Sequence, residues 1–253
     1  SIELAPAWKR FSKHKDVIVA VVDTGVDIKH PFLAKNVVSS EGKLSDANYG
    51  KDFSKFPKIS NMPFDENGHG THVSGIIKSI FPEVKIMPLK YYDPKSSGEQ
   101  NLNATIEALK YAVSKGVDII NYSGGGPHPA TEELKALKEA ERRGILVVAA
   151  AGNDESNLDI PRNTYYPANY NLSNIITVSA HMESLELQPS SNYGKHTVDL
   201  AAPGDQIRSS FPHSRAGYLT GTSQATAFVT GVAALIKAKY PKLSAVQIKR
   251  AIL

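Results

Sequence analysis

Short runs of almost unbroken apolar residues alternate along this chain with longer segments of helical periodicity, and that alternation restricts it to an α/β fold. The runs are residues 17–22, 84–89, 117–122, 145–150, 175–180 and 198–201. A strand covered on both faces has no polar side to present, so it reads as a continuous apolar run rather than an alternating one. Helices are predicted at 71–80, 102–115, 131–143, 222–240 and 244–253. In the second of these, Ile106, Leu109, Ala112 and Val113 form one apolar stripe. Gly116 and Gly144 follow two helices where a left-handed residue is favoured, and Ser244 is a natural N-cap. The expectation is a doubly wound, mostly parallel sheet with helices on both faces. At 253 residues, a single domain spanning 1–253 is within the range of one core. Polar stretches at 39–62 and 154–170 read as long surface loops.

Open α/β sheets place their chemistry outside the carboxyl ends of the strands. Asp23 stands there, closing the first run in Val22-Asp23-Thr24-Gly25, although an aspartate at that point serves equally well to start a turn. The stretch Gly221-Thr222-Ser223-Gln224-Ala225-Thr226-Ala227 opens a long apolar helix. Its serine meets unpaired backbone N–H groups and the positive end of the helix dipole, a place that favours a developing oxyanion. Taken alone, Gly-x-Ser reads as an N-cap serine. His69 lies in the glycine-flanked turn Asn67-Gly68-His69-Gly70-Thr71-His72, just before an apolar helix. By itself it reads as a surface or capping histidine. His72, one turn later, reads as a packed structural residue. A His-x-x-His metal site is disfavoured because no glutamate lies between the two and no cysteine exists to help. Taken together, the segments supply what serine catalysis needs. A neutral serine is a poor nucleophile until an imidazole takes its proton, and the imidazole needs an anion to hold its tautomer.

In their chain order, Asp then His then Ser, these residues resemble the subtilase family of serine proteases. The family's Asp-[ST]-Gly motif reads as Asp23-Thr24-Gly25, its His-Gly-Thr-His motif as His69-Gly70-Thr71-His72, and its Gly-Thr-Ser-x-Ala motif as Gly221-Thr222-Ser223-Gln224-Ala225. A fourth segment, Val147-Val148-Ala149-Ala150-Ala151-Gly152-Asn153, matches the strand whose terminal asparagine donates to the oxyanion. The resemblance covers nearly the whole chain. It implies a serine endopeptidase that forms an acyl-enzyme on Ser223, with His69 as general base, Asp23 orienting it and Asn153 in the oxyanion hole. It also implies that Ser123, Gly124, Gly125 and Gly126 form one wall of the pocket for the residue before the cleaved bond. Without the family, those glycines read as a flexible turn. The family carries a bulkier residue where Gly124 stands, so this wall, and the pocket three substrate residues further on, are expected to be opened. Gly98, Glu99 and Gln100 match an edge segment that pairs with extended substrate. Tyr165 falls at the pocket floor, Asp154 falls at its rim, and the Tyr166–Pro167 bond is expected to be cis. An inward Tyr165 ring shortens the pocket and an outward one leaves it deep. The expected preference is for small or medium apolar residues before the cleaved bond, with acidic ones disfavoured by Asp154.

Composition removes other classes of function. Hydrophobic residues are 41% and charged residues 21% of the chain, which argues against disorder. The net charge of +4 comes from scattered lysines and arginines without interleaved aromatics, so no nucleic-acid partner is expected. With no cysteine there is neither a disulfide nor a thiol nucleophile, and no run is long enough to span a membrane. No cofactor and no metal are expected. By the resemblance, a tight calcium would need a loop after the His-Gly-Thr-His helix and a carboxylate in the segment that reads His30-Pro31-Phe32-Leu33. Here Ile80 passes through Phe81-Pro82-Glu83 into the next strand, and Phe32 offers no side-chain oxygen. Asp199 matches a weaker cation site of the family. The implied partners are polypeptide substrates and an inhibitory pro-segment or protein inhibitor, acting on a monomer. The start at Ser1 without methionine reads as a processed or trimmed chain, expected to be secreted or extracytoplasmic, and the uncapped last helix predicts a missing C-terminal tail. Two alternatives share the same residues. A peptide ligase or cyclase would deliver the acyl group to an amine. Ala227, where the family has proline, relaxes crowding below Ser223 unless Phe228 fills the space. A non-catalytic binding domain is opposed by the intact Asp23, His69, Asn153 and Ser223.

Overall fold

The structure, a computed structural model, describes residues 4–9, 11–38 and 50–253. Part of the expected loop at 39–62 therefore lies outside the described residues. The strands are β1 (Ile18–Asp23), β2 (Lys51–Lys55), β3 (Lys58–Ser60), β4 (Lys85–Lys90), β5 (Ile119–Tyr122), β6 (Leu146–Ala150), β7 (Ile175–His181), β8 (Leu200–Pro203), β9 (Ile207–Phe211) and β10 (Arg215–Leu219). The helices are α1 (Ala5–Lys9), α2 (His69–Ile80), α3 (Gly98–Lys115), α4 (Thr131–Arg142), α5 (Thr222–Lys239) and α6 (Ala245–Ile252). Every predicted apolar run overlaps a strand. The first eight strands form one sheet in the order β3-β2-β4-β1-β5-β6-β7-β8, with β9 and β10 making a separate hairpin. All pairings in the large sheet are parallel except β2 with β3.

Strand alternation feeds two cores. Val19 and Val21 of β1 face the layer built by α2, α5 and α6, while Ala20 and Val22 face α3 and α4. Both layers are built mainly of buried apolar side chains, which is why the central strands read as apolar runs, with Asn121 of β5 and Thr177 and Ser179 of β7 as buried polar exceptions. The chain leaves β1 for the β2–β3 edge, comes back to β4 beside β1, and then crosses β1 to β5. The reversal puts the end of β1 at a topological switch point, where helices diverge and leave a crevice. Asp23 is the last residue of β1.

The predicted helices start and stop within a few residues of the observed ones, with one consequential difference. Ser97 caps α3 by accepting from the Gln100 N–H at 3.2 Å, and the Gln100 side chain accepts from the Ser97 N–H at 2.9 Å. This capping box starts α3 at Gly98 rather than near Leu102. Gly98, Glu99 and Gln100 are therefore helical, not the extended edge expected of them. Within the expected loop at 154–170, residues Pro161–Asn163 and Ala168–Tyr170 form short 3-10 turns. The Tyr166–Pro167 bond is cis, as expected.

Candidate active site

The end of β1, the start of α2 and the start of α5 converge. Asp23 is 3% exposed, and its Oδ1 accepts from His69 Nδ1 at 2.7 Å and from the Thr24 N–H at 2.7 Å. Its buried Oδ2 has no hydrogen-bond partner among the described residues. The two segments touch closely here. A Cβ on Gly70 would stand 2.1 Å from the Gly25 carbonyl oxygen, so only glycine lets α2 begin this near to β1.

A second carboxylate, which the sequence reading passed over, holds this corner together. Asp65 is fully buried and accepts from Thr24 Oγ1 at 2.9 Å, the Asn67 N–H at 3.1 Å, the Gly68 N–H at 2.8 Å, the Thr71 N–H at 2.9 Å and Thr71 Oγ1 at 2.6 Å. Thr24 Oγ1 in turn accepts from the Gly70 N–H at 2.9 Å. Asp65 thus satisfies the Thr71 N–H in the first turn of α2 and the Asn67 and Gly68 N–H groups just before it, while Asn67 Oδ1 and Thr24 Oγ1 take those of His69 and Gly70, which ties the helix start to the turn after Asp23. The signal was present in the sequence: an aspartate three residues before Gly68, at the mouth of a helix, is a capping carboxylate.

The His69 side chain is 28% exposed. Its burial disfavours the charged imidazolium, but the charge and hydrogen bond of Asp23, with Asp65 behind, outweigh that and raise its pKa. His72 behaves differently. Its Nε2 lies 2.9 Å from the Ile207 carbonyl and 3.3 Å from the Gly217 carbonyl, and its ring packs edge-on against Phe211. Burial lowers its pKa. It clamps the β9–β10 hairpin onto α2 and sits in the packed position expected of it.

Ser223 is the second residue of α5 and 7% exposed. Its hydroxyl donates to the Ser123 carbonyl at 3.2 Å rather than to His69. A nucleophile-to-base hydrogen bond often forms only once substrate is bound. Asn153 Oδ1 accepts from the Thr222 N–H at 2.9 Å and Thr222 Oγ1 at 3.2 Å. That fixes the amide and leaves its NH₂ without an acceptor among the described residues. The Ser223 N–H has none either. Two donors therefore flank the serine at the positive end of α5, where an anionic oxygen is stabilised.

Residues 123–126 run beside this corner. Ser123 Oγ accepts from Asn121 Nδ2 at 2.9 Å. Gly126 pairs with Tyr166 through both backbone groups, at 3.0 and 2.7 Å. Backbone groups alternate in direction along a strand, so the N–H and C=O of Gly125 face the other way, and among the described residues neither is bonded. The expected opening at Gly124 is filled: a Cβ there would meet Tyr91 Oη at 2.5 Å, because the Tyr91 side chain takes the space. Tyr165 turns inward. Its ring lies 2.5 Å from where a Gly125 Cβ would stand and 3.0 Å from that of Gly152, between the two segments. Burial and the charge of Asp154 push its pKa up to about 12. Asp154, Asn153 and Tyr165 line one cavity of about 530 Å³. Gly98 and Glu99 line a second, which also borders Gly125 and Gly126.

The residues at the family's cation positions do not fit calcium. The Lys78 ammonium donates to the Phe32 carbonyl and stands 4.3 Å from the Phe32 ring centre. The Lys249 ammonium donates to Asp199 Oδ2 at 2.9 Å and to the Ile175 carbonyl at 2.5 Å. A lysine cation thus occupies each place. Among the described residues no group of three or more His, Asp or Glu is arranged to hold a metal. Ala227 is fully enclosed, and Phe228 lines a cavity beside Leu200 and Pro203 instead of filling space below Ser223.

Comparison with known proteins agrees with this geometry. The Subtilase family model matches residues 14–253. The major intracellular serine protease of Bacillus subtilis (strain 168) is 37% identical over 245 residues, covering 93% of this chain and 73% of that protein. Subtilisin DY of Bacillus licheniformis is 34% identical over 247 residues, covering 94% of this chain and 82% of that protein. Among solved structures, a lanthipeptide protease superposes with a TM-score of 0.80 at 26% identity, covering 97% of this chain and 81% of that one. A cold-adapted subtilisin-like serine proteinase superposes at 0.78 with 28% identity, covering 94% and 82%. The relatives' names do not agree on location: one is intracellular, and another, from the same Bacillus, is cell wall-associated. No described helix is long and apolar enough to cross a membrane.

Proposed function

The chain belongs to the subtilase family of serine proteases, and on that premise we propose that it is an endopeptidase in which Ser223 attacks the peptide carbonyl while His69 takes its proton. Asp23 keeps His69 in the tautomer whose Nε2 is free to accept, and stabilises the imidazolium that forms. The Asn153 amide and the Ser223 N–H receive the oxyanion. The amine leaves with the proton carried by His69, and water, deprotonated by the same ring, releases the acyl group from Ser223. The observation that carries this reading is the 2.7 Å His69–Asp23 hydrogen bond together with a helix-terminal serine flanked by two donors that have no acceptor among the described residues.

A serine-directed fluorophosphonate should label the native chain and not Ser223→Ala. The substitution should lower peptide turnover roughly 10⁴-fold or more. Asn153→Ala should lower turnover about 10²–10³-fold with little change in substrate affinity. Near-native turnover in Ser223→Ala would sink the assignment.

Specificity follows from the same walls. Gly125 offers its N–H and C=O to an extended peptide. The inward Tyr165 ring favours small or medium apolar side chains, such as alanine or leucine, before the cleaved bond. Tyr165→Gly should extend cleavage to large aromatics there. A peptide-library profile identical in the two proteins would remove Tyr165 from the pocket.

A further inference from the structure

The second cavity, about 560 Å³, shares Gly125, Gly126 and Pro127 with the cavity lined by Asn153 and Tyr165, but neither of those two residues lines it. Its walls are aromatic, from Tyr91, Tyr92 and Tyr122. Its charges are of one sign: Glu133 and Glu99 line it, together with His128, and no lysine or arginine does. Glu133 is the unusual member. It lies on the inner face of α4 and is only 2% exposed. Its Oε1 accepts from Tyr122 Oη at 2.8 Å and its Oε2 from Tyr170 Oη at 2.7 Å. Each carboxylate oxygen keeps a further lone pair, and among the described residues no cation pairs with it. Burial pushes its pKa up, against the two tyrosine hydroxyls. Nothing in the proposed catalysis uses Glu133, and an apolar residue would pack at this position without the cost of a buried carboxyl.

We propose that this cavity receives the cationic side chain of a lysine or arginine of the polypeptide, upstream of the bond to be cleaved. The inference rests on the reading of residues 123–126 as a substrate wall. A peptide paired with the free N–H and C=O of Gly125 runs between the two cavities, so one side chain enters beside Tyr165 and another, further upstream, enters here. The aliphatic stem of lysine suits the tyrosine walls, the ammonium lies against aromatic faces, and the Glu133 carboxylate supplies the opposite charge.

The test is binding, so that it does not depend on turnover. Hexapeptides carrying a single lysine scanned through the second to fifth residues before the cleavage point are titrated calorimetrically into the Ser223→Ala protein. Nε-acetyl-lysine, equal in length and neutral, is the control at each position. At one position lysine should bind about tenfold more tightly than acetyl-lysine. Glu133→Gln, which keeps the shape and removes the charge, should erase that ratio. Equal binding of the two peptides at every position, or no binding of either, overturns the proposal. So does a ratio that survives in Glu133→Gln. Parallel digestion by the native protein separates the two ideas: peptides that bind with the lysine preference yet are never cleaved refute the protease mechanism and leave the cavity assignment standing.

Discussion

At His69, burial works against the proton while Asp23 at 2.7 Å and the more distant Asp65 work for it, and the carboxylates win. Only the neutral ring can accept the Ser223 proton. Activity is therefore expected to rise with pH along a limb centred above the ordinary histidine value of about 6.5. Asp23→Asn removes the main positive contribution, so that limb should shift to lower pH while turnover falls by about 10⁴. His72→Ala should keep the limb, whereas His69→Ala should abolish activity. A pH–rate profile in which the two histidine variants exchange behaviour would reassign the base. Linkage gives the matching sign for stability. The raised pKa makes the contribution of the pair full below the unfolded value and lost as pH climbs through the folded one. The local placement of Asp23, His69, Asn153 and Ser223 was legible because each lies in a short motif whose neighbours do a local job: a strand end, a glycine turn, a helix start. Asp65 was not read, nor was the role of Thr24 within its motif, because their work is to gather backbone N–H groups from a folded corner. Tyr91 was hidden for a similar reason, since only packing reveals that its hydroxyl fills the space beside Gly124.

Among the secondary-structure elements, α3 shows where periodicity loses the boundary. Its apolar stripe begins near Leu102, but the polar turn Gly98-Glu99-Gln100-Asn101 is already helical because Ser97 and Gln100 satisfy each other's backbone. The capping signature Ser-x-x-Gln was in the sequence, and it outweighs the family alignment that made this an extended edge. At α6 the same signature, Ser244 with Gln247, starts the helix where it was expected. What periodicity did not disclose is how α6 docks. Lys249 reaches across to Asp199 at 2.8 Å, and both side chains are about one-fifth exposed. Asp199 also accepts from the Thr177 N–H at 2.8 Å, so the carboxylate is held between β7 and β8. Lys249→Met should leave that charge uncompensated and cost about 1–2 kcal/mol, between the values for exposed and buried pairs. The double variant with Asp199→Asn should recover part of the loss. Chemical denaturation of the three proteins measures this. An unchanged midpoint in Lys249→Met would mean that the pair contributes nothing to α6 docking.

Across the whole molecule, continuous apolar runs announced a covered parallel sheet, but runs alone carry no strand order, and the return across β1 that creates the crevice emerges only in the assembled sheet. The edge strands escaped notice because their sequences are polar: Lys51-Asp52-Phe53-Ser54-Lys55 has two buried residues, and Lys58–Ser60 has none. The hairpin of β9 and β10 was missed likewise, being held by His72 rather than by a large apolar face. The distribution of fixed charge leads to the last prediction. Calcium binding requires six to eight oxygens gathered around one point. At the family's two cation positions this chain places its own ammonium groups, Lys78 on the Phe32 carbonyl and Lys249 on Asp199 and the Ile175 carbonyl. A tethered cation repels a free one and leaves fewer carbonyls to coordinate it. Thermal stability and the rate of inactivation should therefore be the same in chelator as in millimolar calcium. A ligand that binds only the folded state must raise the midpoint with its concentration. A midpoint that climbs steadily with calcium would place a metal site on this protein away from both lysines, and one that climbs only in Lys249→Met would show that the lysine stands in for the ion.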